Sequence, residues 1–311
     1  MKDLQKRIDI IAVGHALVDI RIQVNEFPKP DQESPILRTK WGAGGSAVNV
    51  SIAVKRLGMS SGIIAKIGFD SFGRIIADEL LKEGVDIKGL RISLGDTGFS
   101  IVAIDPQGEI TMYGYKGSAE DLRPEEIDED LIRESRHIHI SSLRIDTSVK
   151  ALELAKKYGL TSSWDPGRVL SKKGLSELKK ILEMSDIVLL NSQEAYYITN
   201  EKDYRKAADI IKDLGPQIVV VKLGKDGSYI KTKDFSEYIP AFQITNPVDT
   251  TGAGDAYAAG FITSLLRGYT IRKAAIYASA AAALKIMKLG SHEVPSHDEV
   301  INFIWDRIPS F

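Results

Sequence analysis

Short apolar segments alternate with amphipathic helical patterns along nearly the whole chain. Most of the apolar segments are rich in Ile, Val and Leu, which is typical of strands buried on both faces of a sheet. The predicted strands are IDIIAVG (8–14), GIIAKIG (62–68), HIHISS (137–142), LTSSWD (160–165), DIVLLN (186–191) and QIVVVKLG (217–224). Strands that alternate with helices in this way predict an α/β fold, with a mainly parallel central sheet and crossover helices on its faces.

The helical patterns between these strands have clear ends. FGRIIADELLKEG, SVKALELAKKYG, GLSELKKILEMS and RKAADIIKDLG each repeat apolar residues at helical spacing. A glycine can end a helix because it adopts the left-handed conformation without strain. Glycines suited to that role are Gly58, Gly84, Gly159, Gly215 and Gly268.

Two segments depart from this rhythm, at about 20–40 and 96–116. Both alternate apolar and polar residues at period two, and they are punctuated by Pro28, Pro30 and the turn DPQG. We expect them to form a small antiparallel sheet that stands off the main body as a lid. The prediction is one domain, 1–311, whose lid is assembled from two separated insertions and covers a site below it.

Composition narrows the class of protein. The 311 residues carry a net charge of −1, so no overall field favours nucleic acid or an acidic membrane. Cysteine is absent, which excludes disulfides, thiolate metal sites and a cysteine nucleophile. We expect no signal peptide, because the apolar run in MKDLQKRIDIIAVGHALVDI is too short and too interrupted. We expect no membrane span either, because the nearest candidate, AAIYASAAAALKIM, is mostly alanine and is interrupted by Lys285. A soluble, cytoplasmic protein is the expectation.

The segment NPVDTTGAGDAYAAGFITSLLRG (246–268) is the most informative part of the chain. A glycine turn leads directly into a helix, and the unpaired N–H groups of such a turn can hold an anion. Asp255, at the helix start, is interpreted either as a helix-cap carboxylate or as the group that orients and deprotonates an attacking hydroxyl. We expect this carboxylate to stay ionised and to be a weak base, which suffices for phosphoryl transfer.

Two motifs together resemble one family. DTTGAGDAYAAGF (249–261) is similar to the second signature of the PfkB family of sugar and nucleoside kinases, and WGAGGSAVNVSIAVKRLG (41–58) is similar to the first. Both stand in the family's order and spacing, and the resemblance covers essentially the whole chain. It implies a three-layer ribokinase-like fold and a catalytic base at Asp255. It also implies an anion hole formed by the backbone of Gly252, Ala253 and Gly254.

The same resemblance implies the reaction. A nucleotide, ATP or ADP, would donate a phosphoryl group to a hydroxyl of a ribose-like sugar or sugar phosphate, with Mg²⁺ as cofactor. A nucleoside kinase on the same scaffold is the alternative. A catalytically silent sugar or nucleotide sensor is a third hypothesis, although the intact GAGD argues against it.

A second interpretation of the first glycine loop, as a dinucleotide-binding loop, also has to be considered. Residues 42–47 also match the dinucleotide fingerprint G-x-G-x-x-A of oxidoreductases. That fingerprint follows a buried parallel strand, whereas the preceding LRTKW is polar. We therefore set the dehydrogenase aside.

The resemblance places the acceptor beside this loop. It implies that Asp19, Gly44, Gly45 and Asn49 bind the acceptor's hydroxyls, and a carboxylate with an amide can grip a vicinal diol. The competing interpretations are a strand-end turn residue for Asp19 and a solvated or capping residue for Asn49.

Other residues follow strand ends, where open α/β sheets place their ligands. Asn191 and Glu194 match the family's N-x-x-E motif, which helps organise Mg²⁺ and phosphate through water; the alternative is a helix cap. The segment 222–227 resembles the family's nucleotide-edge loop. Its candidate residues for the nucleotide are Lys222, Gly224 and Gly227.

Charged residues near two further strand ends suggest an anionic acceptor. Asp165 and Arg168 lie in SWDPGR, and Arg144 follows another strand. Arginine binds phosphate or carboxylate in a bidentate manner, so the acceptor is hypothesised to carry an anionic group. A surface ion pair is the competing interpretation.

Three further expectations concern ions and assembly. Asp249 and Thr251, with the segment near Gly290, lie where the family binds a monovalent cation such as K⁺. His137 and His139 share one strand face, but with no third ligand at suitable spacing we interpret them as packed strand residues. Exposed lid strands are expected to pair two copies into a homodimer.

Overall fold

The computed structural model describes residues 7–107 and 109–311. In chain order its strands are β1 (Ile8–Gly14), β2 (Leu17–Val24), β3 (Ile36–Gly44), β4 (Ser61–Gly68), β5 (Asp86–Ser93), β6 (Thr97–Ile104), β7 (Ile110–Gly117), β8 (Ser135–Ser141), β9 (Thr161–Asp165), β10 (Ile187–Asn191), β11 (Ile218–Lys222), β12 (Ser228–Lys231) and β13 (Ser236–Ile239). Its α-helices are α1 (Ser46–Arg56), α2 (Ser71–Lys82), α3 (Glu129–Arg133), α4 (Ile145–Lys157), α5 (Gly167–Ser171), α6 (Gly174–Met184), α7 (Ser192–Thr199), α8 (Tyr204–Asp213), α9 (Ala253–Leu266), α10 (Ile271–Ile286) and α11 (His297–Trp305).

The larger sheet has the strand order β13-β12-β11-β10-β9-β8-β1-β4-β5. The seven strands from β11 to β5 are parallel, while β12 and β13 are antiparallel at one edge. All six predicted strands lie in the parallel part, so the mainly parallel sheet is confirmed. The prediction missed β5, β12 and β13. β5 is an edge strand with several polar, half-exposed positions, and β12 has only four residues.

Helices cover both faces of this sheet. β1 directs Ile10 and Ala12 into one buried cluster and Ile11 and Val13 into another, because side chains alternate along a strand. Helices α1, α2, α9, α10 and α11 pack in the first cluster, and α3, α4, α6, α7 and α8 pack in the second. The three-layer architecture is therefore confirmed.

The predicted helix ends are also confirmed. A positive φ, the left-handed conformation that ends a helix, is observed at Gly58, Gly84, Gly159, Gly215 and Gly268. In the part of the chain that the structure describes, no helix is long and apolar enough to cross a membrane.

A second sheet has the order β3-β2-β6-β7, and its strands lie in or beside the two predicted lid segments. The outer pairs are antiparallel, but the central pair, β2 with β6, is parallel, which corrects the expectation of a fully antiparallel sheet. The parallel pair arises because the two strands come from different insertions rather than from one hairpin. Part of the predicted DPQG turn, Gly108, lies outside the described residues.

Candidate active site

The predicted site residues gather at the carboxyl ends of the parallel strands. In the sheet registers, Gly14 lies beside Ser141, Ser141 lies beside Asp165, and Asn191 lies beside Lys222. The chain leaves this edge at β1, enters the second sheet, and returns at Gly44, one residue before the N-cap of α1. The ends of five strands, the second sheet and the start of α1 therefore border one cleft.

The turn before α9 has the geometry of an anion site. Gly252 is the N-cap of α9, with φ 78°, and a Cβ there would lie 2.1 Å from the carbonyl oxygen of Ser291. Only glycine fits so close an approach in this conformation. The N–H of Ala253 donates to the carbonyl of Thr250 at 3.2 Å, so Ala253 closes the turn. The helix-start amides of Gly254 and Asp255 are then the ones suited to an anion.

Asp255 is linked to the other glycine motif. Nδ2 of Asn49, at the start of α1, donates to Oδ2 of Asp255 at 2.7 Å, and Asn49 is buried. The carboxylate thus turns towards α1, and the competing interpretation of Asn49 as a solvated residue is not what the structure shows.

The pKa of Asp255 differs from the expectation. Burial raises it to about 7, while the hydrogen bond from Asn49 acts in the opposite direction. The sequence predicted a permanently ionised, weak base, because a helix start favours a carboxylate. Desolvation outweighs that effect here, so the group is a stronger base than expected.

Asp19 lies in β2 of the second sheet rather than at the end of the first strand. Its Oδ1 accepts a hydrogen bond from Ser100 Oγ at 2.6 Å, and its Oδ2 accepts one from Arg21 at 3.2 Å. A Cβ on Gly44 would lie 2.3 Å from Asp19 Oδ2, so the absence of a side chain at Gly44 makes room for the carboxylate. The charge of Asp19 contributes to the raised pKa of Asp255, so the two carboxylates belong to one electrostatic site.

A second charged group lies on the other side of the anion turn. Lys222 Nζ donates to Asp165 Oδ2 at 2.6 Å, and it would lie 3.3 Å from a Cβ built on Gly254. Although burial acts to lower the pKa of Lys222, the carboxylates of Asp165, Glu194 and Asp255 raise it. The ammonium is therefore charged and lies beside the anion turn, rather than at a solvent-exposed strand end.

Asn191 and Glu194 form a helix cap at the start of α7. Asn191 Oδ1 accepts from the N–H of Glu194 at 2.9 Å, and Glu194 Oε2 accepts from the N–H of Asn191 at 2.8 Å. The capping alternative is thus observed, yet Glu194 is also buried, and burial together with Asp165 raises its pKa. Asp165 and Glu194 repel each other despite the charges of Lys222 and Arg168 nearby, and a divalent cation would relieve that repulsion. The donor set fits Mg²⁺ held largely through water.

Other predicted residues lie outside the cluster formed by Asp165, Glu194, Lys222 and Asp255. Arg144 donates to Asp146 at 2.6 and 3.0 Å, which is the ion pair of the competing interpretation, and Arg168 is exposed on α5. Gly224 faces open space. A Cβ on Gly227 would collide with the carbonyl oxygen of Ile239, so Gly227 serves packing at the edge of the sheet.

His137 and His139 are packed strand residues, as predicted. His137 contacts Thr161 Oγ1 and Ser163 Oγ at 2.7 and 2.8 Å, and His139 contacts Ser163 Oγ at 2.8 Å. Burial lowers their pKa values to about 3 and about 4, so both rings are neutral. Within the described residues, no group of three His, Cys, Asp or Glu side chains is arranged to hold a metal.

The residues predicted for a monovalent cation do not fit one. Lys285 Nζ donates to the carbonyl of Asp249 at 2.6 Å, and Arg21 Nε lies 3.2 Å from the Asp249 carboxylate. Thr251 contributes its N–H, which donates to Asp249 Oδ1 at 2.9 Å. Two protein cations already surround Asp249, which corrects the expectation of K⁺ at this position.

Sequence reasoning missed three cations, Arg21, Lys285 and Lys116. Lys285 had a signal, because it is the lone charge in an alanine-rich run. Lys116 on β7 is partly buried, and its Nζ lies 3.4 Å from Nδ1 of His15. Burial lowers the pKa of Lys116, while the charges of Glu120 and Asp19 oppose that effect. Neither Arg21 nor Lys116 carried a signal, since each lies in a strand that alternates polar and apolar residues.

Comparison with known proteins identifies the family of the chain. The family model described as pfkB family carbohydrate kinase matches residues 7–298. The chain is 35% identical over 302 residues to an ATP-dependent ribose-1-phosphate kinase of Halopiger xanaduensis, covering 96% of this chain and 99% of that protein. It is 30% identical to a nucleoside kinase of Methanothermobacter thermautotrophicus, covering 94% of each chain.

Solved structures agree on the fold. The ribokinase of Thermotoga maritima superimposes with a TM-score of 0.84 at 26% identity, covering 96% of this chain and 99% of that one. The similarity extends over both sheets, since nearly the whole of each chain is covered.

Proposed function

The chain belongs to the pfkB family of carbohydrate kinases, and we propose that it transfers a phosphoryl group from ATP to a hydroxyl of a ribose-like sugar or sugar phosphate. It is a sugar or nucleoside kinase, and Asp255 is proposed to be its general base. The observation that carries this proposal is the position of Asp255. Its carboxylate lies at the helix start that also supplies anion-binding amides, and it is held by Asn49 at 2.7 Å.

The acceptor hydroxyl would be oriented by groups of the first glycine motif and the second sheet. Asp19 and Asn49 supply a carboxylate and an amide, which can accept from and donate to neighbouring hydroxyls. Gly44 makes room for the Asp19 carboxylate, and Gly45 lies close to the carbonyl oxygen of His15, so both glycines serve the packing of this region. Asp255 would then accept the proton of the attacking hydroxyl, and its raised pKa places a general base near neutral pH.

Negative charge that develops on the transferred group would be met by fixed donors. These are the amides of Gly254 and Asp255 and the ammonium of Lys222, which lies next to Gly254. Asp165 and Glu194 would hold Mg²⁺ through water, and the ion would supply charge neutralisation for the nucleotide phosphates. Asp165 also keeps Lys222 in place through their 2.6 Å hydrogen bond.

The acceptor is proposed to be anionic, a phosphorylated pentose being the best candidate. Lys116 supports an anionic acceptor, because it is a partly buried cation whose pKa is affected by the charge of Asp19. Arg168 is a further cation near Glu194, and its charge opposes the rise in the pKa of Glu194. Arg144 is a weaker candidate than the sequence suggested, because Asp146 already occupies its guanidinium. A nucleoside acceptor is the second candidate, favoured by the similarity to an archaeal nucleoside kinase.

The second sheet is proposed to act as a lid and as a dimer surface. One row across its four strands consists of Trp41, Ile20, Ile101 and Tyr113, as the strand registers show. Trp41 is 52% exposed and Tyr113 is 65% exposed, so the row presents apolar surface to solvent. A second copy of the chain would bury it, and closure of the sheet over the cleft would exclude water from the reaction.

The test is a coupled kinase assay of the purified chain with ATP and with ADP. Pentoses, hexoses, their phosphates and nucleosides are compared as acceptors. We expect the highest kcat/KM with a ribose-like sugar phosphate and ATP. Asp255→Asn should fold normally but lower kcat by at least about a hundredfold. Asp298→Asn is the matched control, because it changes an exposed aspartate in the first turn of a different helix.

The outcomes separate the hypotheses. Near-normal turnover by Asp255→Asn would remove Asp255 from its role as base. A nucleoside as the best acceptor would favour the second candidate. Tight binding of a sugar without turnover of any acceptor would indicate a sensor instead of an enzyme.

A further inference from the structure

Asp249 accepts hydrogen bonds from both of the loops that form the anion turn. Its Oδ1 accepts from the N–H of Thr251 at 2.9 Å, and its Oδ2 accepts from the N–H of Gly290 at 3.0 Å. These two loops meet at Gly252, whose α-carbon approaches the carbonyl of Ser291 so closely that no side chain would fit. The position of the anion turn therefore depends on what holds Asp249.

Lys285 contacts Asp249 through its ammonium group. It lies in the last turn of α10, its side chain is fully buried, and Nζ donates to the carbonyl oxygen of Asp249 at 2.6 Å. The same ammonium lies 3.9 Å from Asp249 Oδ2. A buried lysine in an alanine-rich helix is costly unless its charge is compensated. Burial lowers the pKa of Lys285 to about 8, and the charge of Asp249 opposes that effect.

The charges around Asp249 are already balanced. Arg21 lies 3.2 Å from Asp249 Oδ2 and 3.2 Å from Asp19 Oδ2, and so it joins the second sheet to the anion turn. With Lys285, the group contains two cations and two carboxylates. A metal cation at Asp249 would compete for a carbonyl oxygen that Lys285 already occupies, and it would add an unbalanced positive charge.

We propose that the ammonium of Lys285 replaces a bound monovalent cation in this enzyme, so that phosphoryl transfer needs neither K⁺ nor Na⁺. Lys285 acts as a positioning residue. It touches Asp249 and not the substrate, and it keeps the 249–252 turn in the conformation that presents the amides of Gly254 and Asp255. The inference deepens the proposed function and rests on it.

The experiment compares KCl, NaCl and tetramethylammonium chloride at equal ionic strength. Tetramethylammonium is too large to occupy the space of an ammonium group. For wild type we expect kcat to agree within about twofold in the three salts, and the melting temperature to be unchanged. For Lys285→Ala we expect kcat to fall by about tenfold or more in tetramethylammonium chloride, with a substantial part restored by KCl or NaCl.

Two further variants separate charge from packing. Lys285→Met fills the space without a charge, so it should lose activity that KCl does not restore. Lys288→Ala is the matched control, because it removes a neighbouring, partly exposed lysine whose partner is Glu299 at 3.3 Å. It should behave as wild type in every salt.

Melting temperatures make the test independent of activity. KCl should raise the melting temperature of Lys285→Ala but not that of wild type, since a cation that binds only the folded variant stabilises it. This comparison remains decisive if no acceptor is phosphorylated, an outcome that would instead contradict the proposed function.

Three results would overturn the proposal. The first is severalfold activation or clear stabilisation of wild type by KCl, which needs no variant and decides the matter even if Lys285→Ala does not fold. The second is full activity of Lys285→Ala in tetramethylammonium chloride. The third is an equal loss in the alanine and methionine variants that neither KCl nor NaCl restores, which would show that a free monovalent cation cannot take the place of the ammonium group.

Discussion

At the residue scale, the environment of Asp255 determines the chemistry that it can do. Burial raises its pKa to about 7, above the usual value for an aspartate, and Asn49 limits the rise by donating a hydrogen bond to the ionised form. Because the folded pKa exceeds that of the unfolded chain, ionisation of Asp255 costs folding stability as the pH rises from about 4 towards 7. A useful general base is thus obtained at the expense of stability.

Replacing Asn49 tests this balance. Asn49→Ala removes the hydrogen bond that lowers the pKa of Asp255, so that pKa should rise. Since only the ionised base accepts a proton, the acid limb of kcat/KM should move to higher pH by about one unit. The measurement is the pH profile of kcat/KM, which reports the free enzyme.

Asn302→Ala is the control for that measurement, because Asn302 is an exposed asparagine on α11. Its profile should match that of wild type. If the acid limb of the kcat/KM profile does not move in Asn49→Ala, then Asn49 does not lower the pKa of Asp255. This conclusion holds even if the KM for the acceptor rises.

At the element scale, the turn before α9 works because its backbone approaches a second loop. Gly252 has a left-handed φ, and a Cβ there would lie 2.1 Å from the carbonyl oxygen of Ser291. Gly268, at the other end of the same helix, has a similar φ of 83° but faces open space. A side chain at Gly268 would meet only the energetic cost of the left-handed conformation, whereas one at Gly252 would also collide with the neighbouring loop.

Alanine at each position makes the comparison quantitative. Gly268→Ala should cost about 1 kcal/mol, the penalty of a side chain in the left-handed region. Gly252→Ala should cost about 1–3 kcal/mol more, because the 290–291 loop must move. It should also lower kcat, since the amides of Gly254 and Asp255 are displaced. Urea unfolding and the kinase assay measure both effects, and equal destabilisation by the two variants would contradict the contact argument.

Two other elements show where local patterns stop being informative. The N-x-x-E motif at the start of α7 is both a helix cap and a buried acidic group, and the sequence treated these as alternatives. The same side chain can do both because one carboxylate oxygen caps the helix while the group as a whole faces Asp165 and Lys222. The histidines of β8 are packed strand residues, as predicted, because both rings are buried and contact the hydroxyl of Ser163.

At the scale of the whole molecule, the exposed apolar row of the second sheet predicts assembly. We expect wild type to sediment as a dimer, at twice the 34.2 kDa of the chain. Tyr113→Glu places a charge at the β7 end of the row and should shift the protein to monomer, because a buried unpaired carboxylate is costly. Sedimentation velocity at several concentrations measures the shift.

Trp305→Glu provides the control, since Trp305 is a comparably exposed aromatic residue on α11, outside the second sheet. It should leave the dimer intact. A wild-type chain that remains monomeric at high concentration would contradict the assembly, without affecting the catalytic proposal.

The sequence alone determined the architecture and predicted where the candidate site lies. The alternation of strands and helices predicts the three layers, and the two glycine motifs identify the helix starts that carry Asn49 and Asp255. These features are local, because hydrophobic periodicity and glycine turns are written in consecutive residues.

Tertiary structure alone decided the electrostatics. The raised pKa of Asp255, the pairing of Lys222 with Asp165 and the occupation of Asp249 by Lys285 each depend on burial and on residues far apart in the chain. Desolvation and charge pairing act through space, so a spacing pattern cannot reveal them. For that reason the family resemblance implied a monovalent cation at Asp249, where the fold instead places the ammonium group of Lys285.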